Sequence, residues 1–263
     1  MSSFSKSLQV MAFTLTATLS SVASAAPILW VGDSQGNLGT VDVSSGAVNV
    51  IGYMGQAMTD IAFDPNGNLY GITFGSLFSI DKNTAATTYI GNLGTTVNSL
   101  VFDSAGTLFA ANSALYTVNV STGAASLVGG GGTGYNSSGD LAFIGGKLYL
   151  SSCCSDSGDA LMQLNPLTGA GSLIGDIGSY GVYGLASDNN VDLYGITGTS
   201  VIGINTTTGA GTMLVNYGGQ DLGDAWGSAF YQESGAVVPE PATMALMGLG
   251  LVGLGFSRRN ARN

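Results

Sequence analysis

The side chains best suited to chemistry stand at matching places in similar segments of the chain. Each lies at the start of a short apolar run, and together they are Asp60, Asn98, Asp140, Tyr183 and Trp226. Paired carboxylates about 5 to 9.5 Å apart suit glycoside cleavage, whereas Tyr and Trp rings stack on sugars. The alternative is that Trp226 belongs to the core and that the aspartates hold turns or strand ends.

The composition excludes several classes of protein. The 263 residues include no histidine, so a histidine-ligated zinc centre and a Ser-His-Asp triad are absent. Between residues 26 and 238, Lys82 and Lys147 are the only cations against fifteen acids, a net charge of −13. Such a charge disfavours nucleic acids and anionic membrane surfaces. We therefore expect a non-catalytic protein without a cofactor.

A metal site is also not expected. The run from Asp188 to Asp192 has the oxygen spacing that opens a calcium loop. However, Leu193 stands where that loop needs glycine, and no glutamate follows at the twelfth position. An ordinary Asx-rich turn explains the pattern.

The N-terminus has the pattern of a secretory signal peptide. Lys6 precedes an apolar stretch from Leu8 to Leu19, and small residues lead to Ala25. This pattern predicts export and removal of residues 1–25 by signal peptidase, with cleavage after Ala25.

Export determines the redox environment of Cys153 and Cys154, the only cysteines of the chain. An oxidising compartment does not favour a free pair. Neighbouring cysteines can close only a strained ring, so a vicinal bridge and an intermolecular bridge are both open.

The C-terminus carries a second signal. Pro239, Glu240 and Pro241 precede a stretch without charge at residues 242–256, and an arginine cluster follows. Fifteen helical residues span about 22 Å, less than the hydrocarbon core of about 30 Å. A transient membrane anchor therefore suits this segment better than a permanent one.

This tail resembles the PEP-CTERM sorting signal of Gram-negative bacteria. The resemblance implies that a membrane exosortase recognises and cuts at Pro239, Glu240 and Pro241, while Arg258, Arg259 and Arg262 hold the cytoplasmic side. It also implies delivery to the cell surface or to an exopolysaccharide matrix. An ordinary anchor that is never cut is the alternative.

Five repeats occupy the chain between the two signals. A leucine followed by an aromatic residue recurs at steps of 40, 39, 40 and 45, starting at Leu29, Leu69, Leu108, Leu148 and Leu193. Apolar runs separated by Asx and glycine turns predict four antiparallel strands per repeat. In the second repeat they are expected at residues 60–63, 69–73, 77–81 and 87–91.

Four-stranded units of this length predict an all-β, five-bladed β-propeller. The first repeat lacks its first strand, and residues 226–230 match the missing pattern, so the two ends are expected to pair and close the ring. A linear β-solenoid is the structural alternative. The predicted domains are a signal peptide at 1–25, a propeller at 26–234 and a sorting signal at 235–263.

The repeats also resemble NHL and gluconolactonase-like propellers over residues 28–231, and this resemblance concerns fold more than activity. The irregular loops fall on one face of the predicted ring, where binding residues usually concentrate. The predicted ligand-binding residues are Asp60, Asn98, Tyr135, Asp140, Tyr183 and Trp226. We expect a surface protein that binds glycan, exopolysaccharide or protein. The alternatives are a lactonase or glycosidase that uses the channel carboxylates, and a purely structural matrix component.

Overall fold

The computed structural model describes residues 27–130, 134–155, 158–188, 192–231 and 233. The predicted signal peptide and the predicted sorting signal lie outside these residues. The described part of the chain forms five four-stranded antiparallel sheets, which confirms the five-bladed β-propeller. Within the same residues, no helix is long and apolar enough to cross a membrane.

The strands alternate with short turns along the chain. In order they are β1 (Ile28–Asp33), β2 (Asn37–Asp42), β3 (Val48–Tyr53), β4 (Asp60–Phe63), β5 (Leu69–Ile72), β6 (Ser76–Ile80), β7 (Thr87–Asn92), β8 (Ser99–Phe102), β9 (Leu108–Ala111), β10 (Ala114–Val118), β11 (Ala125–Gly130), β12 (Ser137–Ile144), β13 (Lys147–Ser155), β14 (Gly158–Leu164), β15 (Gly171–Asp176), β16 (Val182–Asp188), β17 (Asp192–Thr197), β18 (Ser200–Ile204), β19 (Gly211–Asn216) and β20 (Ala225–Phe230). The strands predicted for the second repeat match β4 to β7 within one residue at each end.

Each blade runs from an inner strand to an outer one. Blade 1 contains β20 and β1 to β3, and blades 2 to 5 contain β4 to β7, β8 to β11, β12 to β15 and β16 to β19. The inner strands β4, β8, β12, β16 and β20 contact one another in turn around the ring. They line a central channel, and the loops at its two ends define two faces.

The ring closes as the sequence predicts. β20 pairs antiparallel with β1, placing Leu29 opposite Phe230 and Val31 opposite Ser228. The first blade is thus completed by the last strand, and its free edge is removed.

Apolar side chains fill the spaces between neighbouring blades. Five clusters of buried residues occur, one at each blade-to-blade interface. Phe63, Phe102, Phe143 and Phe230 take the same inner-strand position in four of the blades, and all four are buried. The fifth blade has Ser187 at this position, which opens space near the channel.

Backbone groups also touch directly between blades. A Cβ added at Gly91 in β7 would overlap the carbonyl oxygen of Thr122, which lies in the turn after β10 of the next blade. The same contact joins Gly129 to Thr168 and Gly175 to Thr208. Only glycine permits an approach this close.

The interface between blade 5 and blade 1 is built differently. At two other interfaces the first residue of an outer strand donates its N–H to a backbone carbonyl of the preceding blade: Ala125 donates to Leu93, and Gly211 donates to Ile177. At the closing interface, Val48 instead donates to Gln220 Oε1 at 3.1 Å, and Gln220 Nε2 donates to the Gly46 carbonyl at 2.7 Å. One side chain replaces the backbone contact there.

Candidate functional site

A cavity of about 220 Å³ opens at one end of the central channel. Each inner strand contributes a residue from its start, or from just before it, to the lining of this cavity. The lining residues are Thr59, Phe74, Asn98, Ser138, Gly139, Tyr183 and Trp226. We call this cavity the channel mouth. It lies at the face formed by the loops between the second and third strands of each blade, because Phe74 belongs to the loop between β5 and β6.

Three aromatic rings at the channel mouth are open to solvent. The exposed fractions are 56% for Phe74, 43% for Tyr183 and 36% for Trp226. Large exposed aromatic side chains around a concave site commonly mark a binding surface. The alternative that Trp226 is a core residue does not fit this exposure.

The polar residues of the channel mouth have their donors engaged within the protein. Thr59 Oγ1 donates to the Ile72 carbonyl at 3.2 Å, and Asn98 Nδ2 donates to the Ser137 carbonyl at 3.0 Å. Ser138 Oγ donates to Asp159 Oδ2 at 2.5 Å. The hydroxyl oxygens of Thr59 and Ser138 remain as hydrogen-bond acceptors, whereas Asn98 Oδ1 is buried.

Asp60 and Asp140 lie one residue deeper than the channel mouth and are fully buried. Asp60 accepts the backbone N–H groups of Ile61 at 2.7 Å and Leu100 at 2.5 Å. Asp140 accepts those of Leu141 and Leu185, each at 2.6 Å. The two carboxyl groups therefore bond backbone groups from several blades.

Ser228 of β20 completes this arrangement, because its Oγ donates to Asp140 Oδ2 at 3.4 Å and its backbone N–H also bonds Asp140. The five donors occupy one equivalent position in the five inner strands: Ile61, Leu100, Leu141, Leu185 and Ser228. We call this arrangement the carboxyl plug. The role of the two aspartates is therefore to accept hydrogen bonds from a ring of buried backbone N–H groups.

The two carboxyl groups of the plug share a hydrogen bond. Burial raises the pKa of Asp60 well above its usual range, and the neighbouring Asp140 carboxylate raises it further. Burial also raises the pKa of Asp140, while its hydrogen bonds oppose that rise. Because Asp140 accepts more donors, it loses its proton before Asp60 does, and Asp60 holds the shared proton more tightly.

This contact leaves no room for a glycosidic bond between the two carboxyl groups. The spacing of about 5 to 9.5 Å needed for acid and base or nucleophile roles is therefore not present at this pair. Among the described residues, no group of three or more Cys, Asp or Glu side chains is arranged to hold a metal ion.

Glu233 occupies the other end of the channel. No motif or repeat position in the sequence identifies it as a site residue. Its carboxyl group is buried and accepts the Ser187 backbone N–H at 3.2 Å. Burial and the nearby Asp140 charge raise the pKa of Glu233 well above its usual range. The signal in the sequence is Ser187, the small residue at the position where the other inner strands have phenylalanine.

Glu233 also lines a second cavity, of about 450 Å³, at this opposite face. Gly145 and Gly146 from the turn between β12 and β13 line the same cavity. The channel mouth and Glu233 therefore lie at opposite ends of the channel.

The expectation that Tyr135 contributes to the ligand site is corrected by the structure. Tyr135 is buried in the core between blades 3 and 4, and its hydroxyl donates to the Gly169 carbonyl at 3.0 Å. A Cβ at Gly171 would lie 2.7 Å from the tyrosine ring. The glycine-rich loop beside Tyr135 resembles a binding loop in sequence. However, the Tyr135 ring packs inward, where glycines leave space.

The remaining predicted sites are only partly described. Cys153 is disulfide-bonded, and its Sγ accepts a hydrogen bond from Asn136 Nδ2 at 3.2 Å. The side chain of Cys154 lies outside the described residues, as do residues 189–191 of the Asx-rich turn and the processing residues Ala25, Pro239, Glu240, Pro241, Arg258 and Arg259. The vicinal bridge stays a prediction.

The buried acids predict an unusual dependence of stability on pH. Because Asp60 and Glu233 have raised pKa values in the folded state, the folded protein holds more protons than the unfolded chain above about pH 4.5. The free energy of unfolding should therefore fall as the pH rises from 5 to 8, by up to about 1.4 kcal/mol per pH unit for each proton retained. Urea unfolding across this range measures the slope.

The matched variant for that measurement is Glu233→Gln, which keeps an oxygen to accept the Ser187 N–H but does not titrate. Its unfolding free energy should change less with pH than that of the native chain. A slope equal to that of the native chain would show that Glu233 titrates normally in the folded state.

Comparisons with solved structures find similar folds at low sequence identity. A symmetrical protein whose de novo evolutionary emergence is shaped by folding constraints has 18% identity and a TM-score of 0.47, over 72% of this chain and 90% of that one. A gluconolactonase from Xanthomonas campestris has 14% identity and a TM-score of 0.46, over 74% and 78% of the two chains. A protein of unknown function from Bacteroides caccae has 13% identity and a TM-score of 0.42, over 73% of each. These values carry no information about activity.

No curated protein matches the sequence. A family model does match the C-terminal part of the chain, at residues 237–259, and it describes the PEP-CTERM protein-sorting motif. This match confirms the resemblance drawn from the Pro-Glu-Pro element and the residues after it. The motif indicates an exported protein that is processed by exosortase and sorted to the surface of a Gram-negative cell, and the described residues form a five-bladed β-propeller.

Proposed function

We propose that the protein is a non-catalytic component of the cell surface or the exopolysaccharide matrix and that its channel mouth binds a glycan. The mature form comprises the propeller, after signal peptidase removes residues 1–25 and exosortase cuts at Pro239 to Pro241. In this proposal, residues 242–256 hold the chain in the inner membrane only until that cut.

One observation carries the proposal, namely the set of three exposed aromatic rings around a cavity on the channel axis. Phe74, Tyr183 and Trp226 offer apolar faces on which sugar rings stack. Thr59 and Ser138 offer hydroxyl oxygens to sugar hydroxyls. The cavity volume of about 220 Å³ accommodates one sugar unit better than a long stretch of chain.

The absence of turnover is part of the proposal and is supported by the carboxyl plug. Asp60 and Asp140 bond each other and five backbone N–H groups, so neither is free to attack a substrate or to protonate one at the channel mouth. The alternative of a purely structural component would leave the exposed rings without a ligand.

We expect Trp226→Ala to weaken glycan binding by about tenfold or more, because a sugar ring stacked on the indole loses its apolar contact, and nucleobases stacked on aromatic side chains gain about 1 to 3 kcal/mol. Titration calorimetry of the exported protein with oligosaccharides selected on a glycan array measures the change. Tyr89→Ala is the matched control, since Tyr89 is an exposed aromatic on the outer strand β7.

The same samples test for turnover. Intact oligosaccharide after long incubation supports a binding protein, whereas released sugar would favour the hydrolase alternative. Equal affinity of the Trp226 variant and the native chain would place the glycan elsewhere on the molecule.

A further inference from the structure

We propose that the channel mouth selects a positively charged glycan, an amino sugar with a free ammonium group, over neutral and acidic sugars. This inference rests on the proposed glycan-binding function and names the chemical class of the ligand. Three features of the channel support it: the aromatic rings, the hydrogen bonds of the lining residues and the distribution of charge along the channel.

The aromatic rings suit a cation as well as a sugar face. Phe74, Tyr183 and Trp226 surround one cavity, and an ammonium group over the face of such rings gains about 0.5 to 2 kcal/mol, most with tryptophan. A neutral hydroxyl in the same place gains no comparable electrostatic attraction.

The threonine and serine hydroxyls of the lining are already engaged as donors, so their oxygens are left as acceptors. The hydroxyl protons of Thr59 and Ser138 are already donated to Ile72 and Asp159. Asn98 uses Nδ2 on the Ser137 carbonyl, and its buried Oδ1 has no hydrogen-bond partner among the described residues. An ammonium group brings only donors and matches the oxygens of Thr59 and Ser138, whereas a carboxylate brings only acceptors and does not match them.

Carboxyl groups surround the channel mouth from below and from the side. Asp60 and Asp140 follow directly after the lining residues Thr59 and Gly139. Asp159 is buried behind Ser138, where its Oδ2 also accepts the Val182 N–H at 2.7 Å. Asp60 holds its proton and adds no charge, so the negative potential at the cavity comes from the other two carboxyl groups, and low-dielectric walls strengthen it.

Positive charge is located at the opposite face of the ring. Lys82 lies in the turn between β6 and β7, where its Nζ donates to the Gly67 carbonyl at 2.8 Å and sits 4.7 Å from the Tyr231 ring centre. Lys147 begins β13, after the turn that lines the cavity beside Glu233. These are the only cations between residues 26 and 238, so none neutralises the acids at the channel mouth.

The test compares three trisaccharides of equal length: fully deacetylated chitotriose, its N-acetylated form, and cellotriose. The protein is the exported form with Trp30→Phe, so that Trp226 is its sole tryptophan and its fluorescence reports the channel mouth. At mildly acidic pH, where the amino groups are protonated, we expect the deacetylated sugar to bind at least tenfold more tightly than either neutral sugar.

Two controls separate this site from general attraction between a cation and an acidic protein. A trilysine peptide of similar charge should not change Trp226 fluorescence at concentrations that saturate the sugar. Calorimetry on Trp226→Ala should show that the preference for the deacetylated sugar is lost. Raising the salt from about 20 mM to about 200 mM should weaken binding of the charged sugar more than binding of the neutral ones.

The outcomes distinguish the two proposals. Equal or tighter binding of the neutral sugars would overturn charge selection while supporting glycan binding at the channel mouth. A fluorescence response to trilysine that matches the response to the sugar would also overturn charge selection. Failure of all three sugars, together with failure of the glycan array, would overturn both proposals.

Discussion

Asp140→Asn should lower the free energy of unfolding by about 3 kcal/mol or more, the largest single effect that we expect in this protein. Asp140 accepts backbone N–H groups from three inner strands and the proton of Asp60. The amide keeps one oxygen but places an N–H₂ group against donors, so buried donors lose their partners. Urea unfolding at neutral pH, followed by circular dichroism, measures the loss.

Two companion variants make this prediction specific. Asp60→Asn should cost less than Asp140→Asn, because Asp60 holds its proton more tightly and accepts fewer backbone donors. Asp103→Asn is the surface control, since its carboxylate holds only the local turn through Ala105 and Thr107. An Asp140 variant as stable as the Asp103 variant would contradict the carboxyl plug.

Gly91→Ala should lower the free energy of unfolding by about 3 kcal/mol. The added methyl group would overlap the carbonyl oxygen of Thr122 in the next blade, and that oxygen belongs to the backbone and cannot rotate away. Blades 2 and 3 must separate to admit it, which loosens the apolar interface between them. Thermal and urea unfolding of the purified variant measure the effect.

Gly75→Ala provides the matched control in the same blade. A Cβ at Gly75 meets no atom within 4 Å, so this variant should remain within about 0.5 kcal/mol of the native chain. Similar stabilities for the Gly91 and Gly75 variants would show that the blades are not in close backbone contact.

Strands and ring closure could be predicted from the sequence because both depend on local patterns. The recurring leucine and aromatic pairs give the spacing of the strands, and the match of residues 226–230 to the inner-strand pattern identifies the closing strand. Turn residues then set the connections. These patterns are local in the sequence, so they can be recognised before the packing of the side chains is known.

The candidate site was only partly predictable, since it depends on which side chains converge at the channel axis. Asn98, Tyr183 and Trp226 were found because the repeat places them at one end of the inner strands. Phe74 was missed because it stands in a loop outside the repeated pattern. Tyr135 was assigned wrongly because a glycine-rich loop indicates exposure, whereas here the glycines make room for its ring.

The carboxyl plug could not be deduced from the residues alone. Its five N–H donors come from five strands that are separated by about 40 residues each, and they converge only when the ring is closed. A regular repeat would supply five equal side chains, but only two strands supply an aspartate. Their two carboxyl groups satisfy all five donors because each group accepts at both oxygens.

The position of Glu233 shows at which face of the ring the described part of the chain ends. This residue is buried at the channel end opposite the aromatic cavity, and six residue steps separate it from Pro239. A fully extended chain of that length reaches about 22 Å. Under the proposed function, exosortase would therefore act near the Glu233 face of the ring, which is opposite to the aromatic cavity.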